Sequence, residues 1–180
     1  GELDIDLRDN LLHINRFAFD SLLQPLPHPL RLEARGDLSG LDKTPGRLDV
    51  SGELRLGGES GAESGWLDVR LDRLGAFQLP DQWVAVSGNG RLSWQDGTLG
   101  TQAKLAVDAG YWQLAKAGTP RLSDDVVVRR PGSAPPAATL RPKVELDIAT
   151  ELGSNFLFNG AGLSSRLTGE VRITAQGRDL

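Results

Sequence analysis

The sequence predicts an all-β protein built on an elongated amphipathic sheet. Long segments alternate apolar and polar residues with a period of two, which is typical of strands with one dry face and one wet face. The clearest runs from Leu163 to Ala175, where only Ser165 breaks the apolar set. Glycine makes up 22 of the 180 residues, well above the average of roughly 7%, which favours turns and strands. Only the stretch from Phe17 to Leu23 is ambiguous between helix and strand.

The first half of the chain predicts several strands separated by turns. The expected dry positions of the first strands are Leu3, Ile5, Leu7, Leu12 and Ile14, with a turn at Asp9-Asn10. Three prolines between residues 25 and 29 mark a loop or an edge, and Leu30, Leu32 and Ala34 then resume the strand period. From Arg47 to Leu56 the dry positions include Leu48, Val50, Leu54 and Leu56. Residues 57–65 contain glycine and acid with no large apolar side chain, so we expect a flexible surface loop.

The second half repeats the pattern. Its dry positions are Leu67, Val69, Leu71, Val84, Val86, Leu92, Leu105, Val107, Val144, Leu146, Ile148, Phe156, Phe158, Leu163, Leu167, Val171 and Ile173. Asp96-Gly97, between two alternating runs, predicts a hairpin with a type I′ turn. Residues 131–142 hold four prolines, which indicates a mobile linker or a protruding loop. Val126 to Val128 reads as a strand. Gly169 leaves room for a bend, so the last run forms either one strand or two.

What covers the apolar face decides the function. The candidate hydrophobic groove consists of the dry positions named above without Leu12 and Ile14, and it includes Leu30 and Leu32. A sandwich would pack two such faces about 10 Å apart, and a small barrel would fill its interior with them. An open curved sheet with an internal groove is the third arrangement. Leucine and valine dominate the dry positions and glycines fall among them, which weighs modestly against a filled core. We expect one elongated β-domain over residues 1–180.

The composition argues against several functions. The chain has no cysteine and two histidines, and its net charge is −4, so it offers neither thiol chemistry nor a nucleic-acid surface. His13 lies on the wet side of a strand and His28 lies between prolines, so surface roles are expected. Asp4 with Asp6, and Glu145 with Asp147, could serve acid–base or metal chemistry. We interpret them as solubilising charges on wet faces. No enzyme activity, cofactor or metal site is predicted.

Two segments resemble the TamB family of the AsmA-like superfamily. The first runs from Asp108 to Trp112 and from Thr119 to Val128, with a glycine turn, a short strand and the pattern P-x-L-S-D-D-V-V-V. The second is Leu152 to Leu163, with the pattern L-G-x-N-F-x-F-x-G-x-G-L, followed by L-x-G-x-V at residues 167–171. The rest of the chain is similar only in its amphipathic strands.

The resemblance implies a sheet curled into an open U-shaped trough with an apolar interior, called a β-taco. It implies a fragment from the C-terminal region of a larger protein that is anchored in the inner membrane of a Gram-negative bacterium and crosses the periplasm. The implied partner is a TamA-like outer-membrane barrel. The implied roles, within a translocation and assembly module, are phospholipid transport between the membranes and assembly of outer-membrane proteins and autotransporters. The expected guests are phospholipid acyl chains or unfolded outer-membrane protein strands. The alternatives are a structural β-spacer, or a carbohydrate-binding domain that stacks sugars on its tryptophans.

Overall fold

Ten strands and one short helix make up a computed structural model that describes residues 1–36, 38, 40, 41, 43–57, 63–114 and 143–177. The strands are β1 (Glu2–Arg8), β2 (Leu11–Ser21), β3 (Gly46–Arg55), β4 (Ser64–Gln78), β5 (Gln82–Gln95), β6 (Thr98–Gln113), β7 (Lys143–Glu151), β8 (Phe156–Gly160), β9 (Leu163–Leu167) and β10 (Glu170–Gly177), and the helix is α1 (His28–Glu33). The all-β prediction is confirmed.

The strands form one open sheet in the order β1-β2-β3-β4-β5-β6-β7-β10. All neighbours are antiparallel except β6 and β7, which run parallel, with Thr98 beside Lys143. The last part of β6 pairs with β8, and β9 pairs with β8, so β8 and β9 extend the sheet beyond the ends of β7 and β10. Among the described residues β1 and β10 each pair on one side only, so the described sheet does not close. Its form is that of an open trough, not of a closed barrel.

The sheet is a single layer over most of its area. Among the described residues, each strand makes extensive contacts only with the strands to which it is hydrogen-bonded. The other such contact between elements is that of α1 with β6. The two longest strands, β4 with 15 residues and β6 with 16, span about 50 Å at roughly 3.3 Å per residue. No second sheet packs on this one within the described ranges, so the sandwich alternative does not describe it.

Three hairpins within the described residues close with two-residue turns, and these turns set the registers of their strands. Asp9 and Asn10 have φ values of 46° and 64°, and Asp96 and Gly97 have 50° and 73°. Positive φ at both central residues is the requirement of the type I′ turn, whose twist matches that of the flanking strands. Both predicted turns are therefore confirmed. A third turn of the same kind, at Ala161-Gly162, joins β8 to β9.

A strap of chain crosses one end of the sheet on the polar side. It comprises Leu22–Gly36 with Leu38, Gly40 and Leu41, and it contains α1. The helix begins after Pro27, with Pro29 in its first turn, where the missing N–H costs nothing. The strand predicted at Leu30 and Leu32 is therefore wrong. Alternation over so few residues does not distinguish the two structures, because a short helix also turns successive residues to different sides.

The strap and the sheet enclose the main core cluster. Trp83 is 1% exposed and packs with Leu30 from the strap, Tyr111 from β6 and Leu157 from β8. The indole N–H of Trp83 donates a hydrogen bond of 3.2 Å to the carbonyl oxygen of Gln24. At this end the sheet is therefore covered on its polar side. The four consecutive apolar residues 83–86 reflect this, since a strand buried on both faces has no polar side.

The last predicted run is two strands, not one. β9 ends at Leu167 and β10 begins at Glu170, and Gly169 between them has φ of 116°, a conformation that few other residues adopt. The predicted loop 57–65 is too long, because Ser64 and Gly65 already pair in β4. Its residues 58–62, the linker predicted at 131–142 and the strand predicted at Val126 to Val128 lie outside the described residues.

Candidate functional site: an apolar sheet face

One continuous apolar face runs across eight strands of the sheet. The registers align its members in rows, one of which runs through Leu3, Phe17, Val50, Val69, Gly90, Ala103, Ile148 and Ile173. A neighbouring row runs through Ile14, Gly52, Leu67, Leu92, Thr101, Leu146 and Ala175. With strands about 4.8 Å apart, eight strands make the face about 34 Å wide.

The face is covered at one end and open over the rest. Val84, Val86 and Val107 are buried in a small cluster with Leu71 and Phe156 packed against it. Residues further along the same strands, such as Leu92 and Leu105, are only half-buried. At the edge strands exposure rises to 63% for Leu3 and 51% for Ile173. Apolar side chains are thus gathered on one side of the sheet, and no second layer within the described part of the chain buries them.

Glycines reduce the height to which side chains project from this face. A Cβ at Gly52 would lie 2.9 Å from the Cδ2 atom of Leu67, and one at Gly65 would lie 2.6 Å from the Cδ2 atom of Leu54. In each pair the leucine side chain therefore leans over its cross-strand glycine. At Gly88 a Cβ would come within 2.3 Å of the carbonyl oxygen of Lys104, so the backbones themselves approach too closely for any side chain. The result is a shallow surface with few ridges.

The structure places nearly all predicted groove residues on this face. The exceptions are Leu30 and Leu32. Leu30 is fully buried in the core cluster under the strap, on the polar side of the sheet, and Leu32 on the same helix is 72% exposed. Neither lines the apolar face, and the reason is the helix that replaces the predicted strand. The prediction for these two residues is wrong.

Several further residues belong to the face. They are Leu12, Ile14, Phe17, Phe19, Trp94, Leu99, Ala103, Trp112 and Leu152. A bulge between Ile14 and Phe17 in β2 shifts the apolar set from even to odd positions, which strict alternation cannot follow. Leu99 could have been predicted on the apolar face, because it continues the odd-numbered positions from Leu105 back to the Asp96-Gly97 turn.

The opposite face carries pairs of opposite charge across and along the strands. The guanidinium of Arg91 donates hydrogen bonds of 2.6 and 2.7 Å to the two carboxylate oxygens of Asp68. Arg172 holds Asp147 in the same bidentate way at 2.8 and 2.7 Å. These hydrogen bonds lower the pKa of both aspartates, because they favour the charged carboxylate. Arg91 also stacks over the Trp66 ring, 4.9 Å from its centroid.

A groove also lies on this polar face. It has a volume of about 940 Å³, and its lining includes Asp68, Arg91, Lys104, Asp147 and Arg172. It is a shallow gap between long side chains, and its arginines are already bound to aspartates. A ligand would have to break a bidentate ion pair to use either arginine. The apolar face is therefore the better candidate for a binding surface, although it forms a broad area and not a closed pocket.

Asp108 has a raised pKa. Burial raises it, because low dielectric surroundings disfavour the charge. The hydroxyl of Ser87 donates a 2.7 Å hydrogen bond to its Oδ2 atom and accepts one of 2.9 Å from the backbone N–H of Arg73. This arrangement links β4, β5 and β6 beside the bulge at Ala85 and Val86. We interpret it as a structural link, since no histidine lies in contact.

The residues weighed for catalysis take ordinary positions. His13 lies on the polar face with its Nδ1 atom 3.4 Å from a carboxylate oxygen of Glu53, and His28 is exposed at the start of α1. No group of three or more potential metal ligands occurs in the described part of the chain. The four tryptophans form no row, since Trp66 lies on the polar face, Trp83 in the core, and Trp94 and Trp112 at opposite ends of the apolar face.

Comparison with known proteins adds no family. Against family models, curated proteins and solved structures, the chain has no match. The resemblance to the TamB family therefore stays a prediction from the sequence motifs. No helix in the described ranges has the length and apolar character required to span a bilayer.

Proposed function

We propose that the chain is a periplasmic module of a TamB-like protein, anchored in the inner membrane of a Gram-negative bacterium, whose apolar face carries phospholipid acyl chains towards the outer membrane. The observation that carries the proposal is the apolar face itself, which is continuous over eight strands and which no second layer of described residues covers over most of its area. Its rows consist mainly of aliphatic side chains and glycines and offer few polar groups, Thr101 among them, that would fix a guest at one position, so a guest can slide.

The chemistry of the face favours an acyl chain over a polypeptide. Inside a sheet the backbone N–H and C=O groups are already paired in the ladder, so a polypeptide lying on the face would leave its own backbone groups unpaired. Each such group costs on the order of 1–3 kcal/mol when it loses water. An acyl chain has no such groups. Assembly of outer-membrane proteins with a TamA-like barrel is the second candidate function, and the unpaired edges of the sheet favour it.

The affinity expected for an acyl chain is low enough for a carrier, which must release its lipid. An acyl chain of about 15 methylenes gains about 0.8 kcal/mol for each methylene that is fully buried. A one-sided face buries about half of the chain surface, which gives roughly 6 kcal/mol before ordering costs. That corresponds to a Kd of tens of micromolar at best. Binding of this strength permits release, as a surface over which lipids move requires.

Intrinsic fluorescence tests the proposal, because the tryptophans report on different surfaces. Three variants keep the buried Trp83 and one other tryptophan: W66F/W112F keeps Trp94, W66F/W94F keeps Trp112, and W94F/W112F keeps Trp66. A brominated fatty acid quenches an indole that it contacts. We expect quenching of Trp94 and Trp112, both on the apolar face, and none of Trp66 on the polar face. Equal quenching at all three positions, or none, would contradict the proposal.

Charge substitutions separate a binding surface from a plain core. Leu54→Lys, Leu146→Lys and Ile173→Lys place a charge on the apolar face, where Ile173 is half exposed. If the face binds acyl chains, these variants keep the circular dichroism of the wild type and lose quenching. If the face is only the core of a structural spacer, a buried unpaired charge should unfold the protein. Thr174→Lys, next to Ile173 on the polar face, is the matched control and should bind as the wild type does.

A further inference from the structure

A band of irregular backbone crosses the sheet beside the end that the strap covers. In β4 two residues, Asp72 and Arg73, lie opposite one residue of β5, and in β6 Asp108 is an extra residue between two pairs with β5. The ladder is interrupted again at residues 152–155, between β7 and β8, and at residues 168–169, between β9 and β10. We call these residues the band. Because bulges bend strands, irregularities at one level of neighbouring strands mark a line along which a sheet bends.

The part of the sheet beyond the band forms one body with the strap. This end panel comprises residues 74–78, 82–86 and 109–113 with β8 and β9, and we call the rest of the sheet the main panel. The described sheet residues of the core cluster under the strap all belong to the end panel: Trp83, Ala85, Ala109, Tyr111 and Leu157. The strap leaves β2 beside Gly46, the first residue of β3, and Gly46 lies against the carbonyl of Arg73. Both ends of the strap are therefore at the level of the band.

The backbone of the band is strained where a hinge would need it. Arg73 has φ of 48°, which residues other than glycine rarely adopt. Gly153 has φ of 65° and Gly169 has φ of 116°, and such angles favour glycine. A backbone hydrogen bond of 2.8 Å, from Leu152 to the Gly169 carbonyl, still joins the two connections. Strained residues of this kind cluster at switch regions.

A chain of hydrogen bonds links the three central strands of the band on the polar face. The backbone N–H of Arg73 donates to Ser87 Oγ at 2.9 Å, and the Ser87 hydroxyl donates to Asp108 Oδ2 at 2.7 Å. We call the second bond the latch. Burial raises the pKa of Asp108 and repulsion from Asp72 adds to this rise, whereas the latch lowers the pKa. The latched carboxylate is therefore held at a cost when it is ionised.

The charges around Asp108 do not neutralise it. Asp72 and Arg73 are the charged groups that act on its carboxyl, and the guanidinium of Arg73 is already hydrogen-bonded to Asp72 at 3.2 Å. On the other side of Asp108, residues 152–155 carry no charge, and Glu151 at the end of β7 is exposed and of the same sign. An ionised Asp108 gains hydration when the latch opens, and a protonated Asp108 gains little.

We propose that the band is a hinge between the main panel and the end panel, and that the latch closes it when Asp108 is protonated. With Asp108 ionised, open and closed latches are both populated and the panels take two angles. Val86 and Val107 meet on the apolar side of the same line, so the angle changes how the apolar face continues onto the end panel. The inference does not rest on acyl-chain binding, because it concerns the sheet without a guest.

Distances between spin labels on the full chain test the hinge. The chain has no cysteine, so labels attach only where one is introduced. N159C/Q102C spans the band from the end panel to the main panel, and N15C/Q102C stays within the main panel; all three side chains are exposed. As the pH falls from neutral to about 4, close to the ordinary pKa of aspartate, we expect one of two distances across the band to grow at the expense of the other. The distance within the main panel should not change.

Substitutions in the same labelled chain separate the latch from a general effect of acid. D108N removes the charge and should show the closed distance at every pH, whereas S87A removes the latch and should keep both distances in acid. D96N removes a carboxylate from a turn outside the band and should respond as the wild type does. A single distance across the band at every pH would overturn the proposal, and so would an unchanged pH response in D108N or an equal response within the main panel. Circular dichroism checks that each variant is folded, and the titration of the wild-type sequence decides the matter even if S87A unfolds.

Discussion

Asn155 should be the residue whose loss most specifically releases the strap from the sheet. It is 6% exposed, and its side chain acts as a peptide group would in a ladder. Its Oδ1 atom accepts a hydrogen bond of 2.7 Å from the backbone N–H of Arg35, and its Nδ2 atom donates one of 3.1 Å to the Arg35 carbonyl. Arg166 donates a third, of 3.2 Å, to Oδ1, and it also contacts the carbonyl of Glu33.

The cost of removing this side chain follows from those bonds. Each net hydrogen bond contributes about 1 kcal/mol, so Asn155→Ala loses about 3 kcal/mol from three of them. Arg35 is exposed, so water can replace part of what its backbone loses. We therefore expect the free energy of unfolding to fall by about 2–3 kcal/mol. Asn155→Asp keeps the acceptor and loses the donor, so its loss should be smaller.

Urea unfolding followed by tryptophan fluorescence measures the effect, since Trp83 lies directly beneath the strap. Asn89→Ala is the control, because Asn89 is exposed on the polar face and its loss should change stability by less than about 0.5 kcal/mol. If Asn155→Ala behaves like Asn89→Ala, the strap is not held by this side chain and the hydrogen-bond reasoning is refuted.

The remaining predictions concern backbone approach and pH. Gly52→Val should destabilise the protein strongly in urea unfolding, because a Cβ there would lie 2.1 Å from the carbonyl oxygen of Trp66. Gly162→Ala meets no atom within 4 Å and should cost only about 1 kcal/mol for its positive φ, so similar losses would contradict the steric argument. The lowered pKa of Asp147 means that its stabilisation is present above the unfolded pKa near 3.8 and lost as pH falls through the folded pKa. Asp147→Asn should therefore flatten the acid limb of stability against pH. Asp108 has a raised pKa, so its stabilisation has the opposite sign and grows as pH falls from neutral towards 3.8. Asp108→Asn should remove that rise and leave the protein at least as stable at pH 7; a clear loss of stability there would argue against burial as the cause.

The period-two pattern predicts the sheet well where strands are regular. In β3, in β7 and in the middle of β4 the expected dry residues all lie on one face, and the turns at Asp9-Asn10 and Asp96-Gly97 take the conformations that their residues require. These features are local. A strand period and a two-residue turn are set by residues next to each other in the sequence.

The features that the sequence did not reveal depend on distant contacts. The parallel pairing of β6 with β7 has no local signature in the residues of either strand. The strap became visible only in the structure, because Leu30 and Leu32 mimic a strand and Asn155 lies 120 residues from its partner in the strap, Arg35. Bulges have the same effect on the site. The shift between Ile14 and Phe17 moves Phe17 and Phe19 onto the apolar face, where alternation alone would not place them.

The strap divides the sheet into regions of different stiffness. Where Leu30 and Trp83 pack behind β5 and β6, the strap backs the sheet on its polar side and resists bending. Towards β1 and β10 no described layer backs the sheet, so it can flex about its strand axes. The end of the sheet under the strap gives a contact surface of fixed dimensions. Near β1 and β10 the sheet can adapt its curvature to ligands of different thickness.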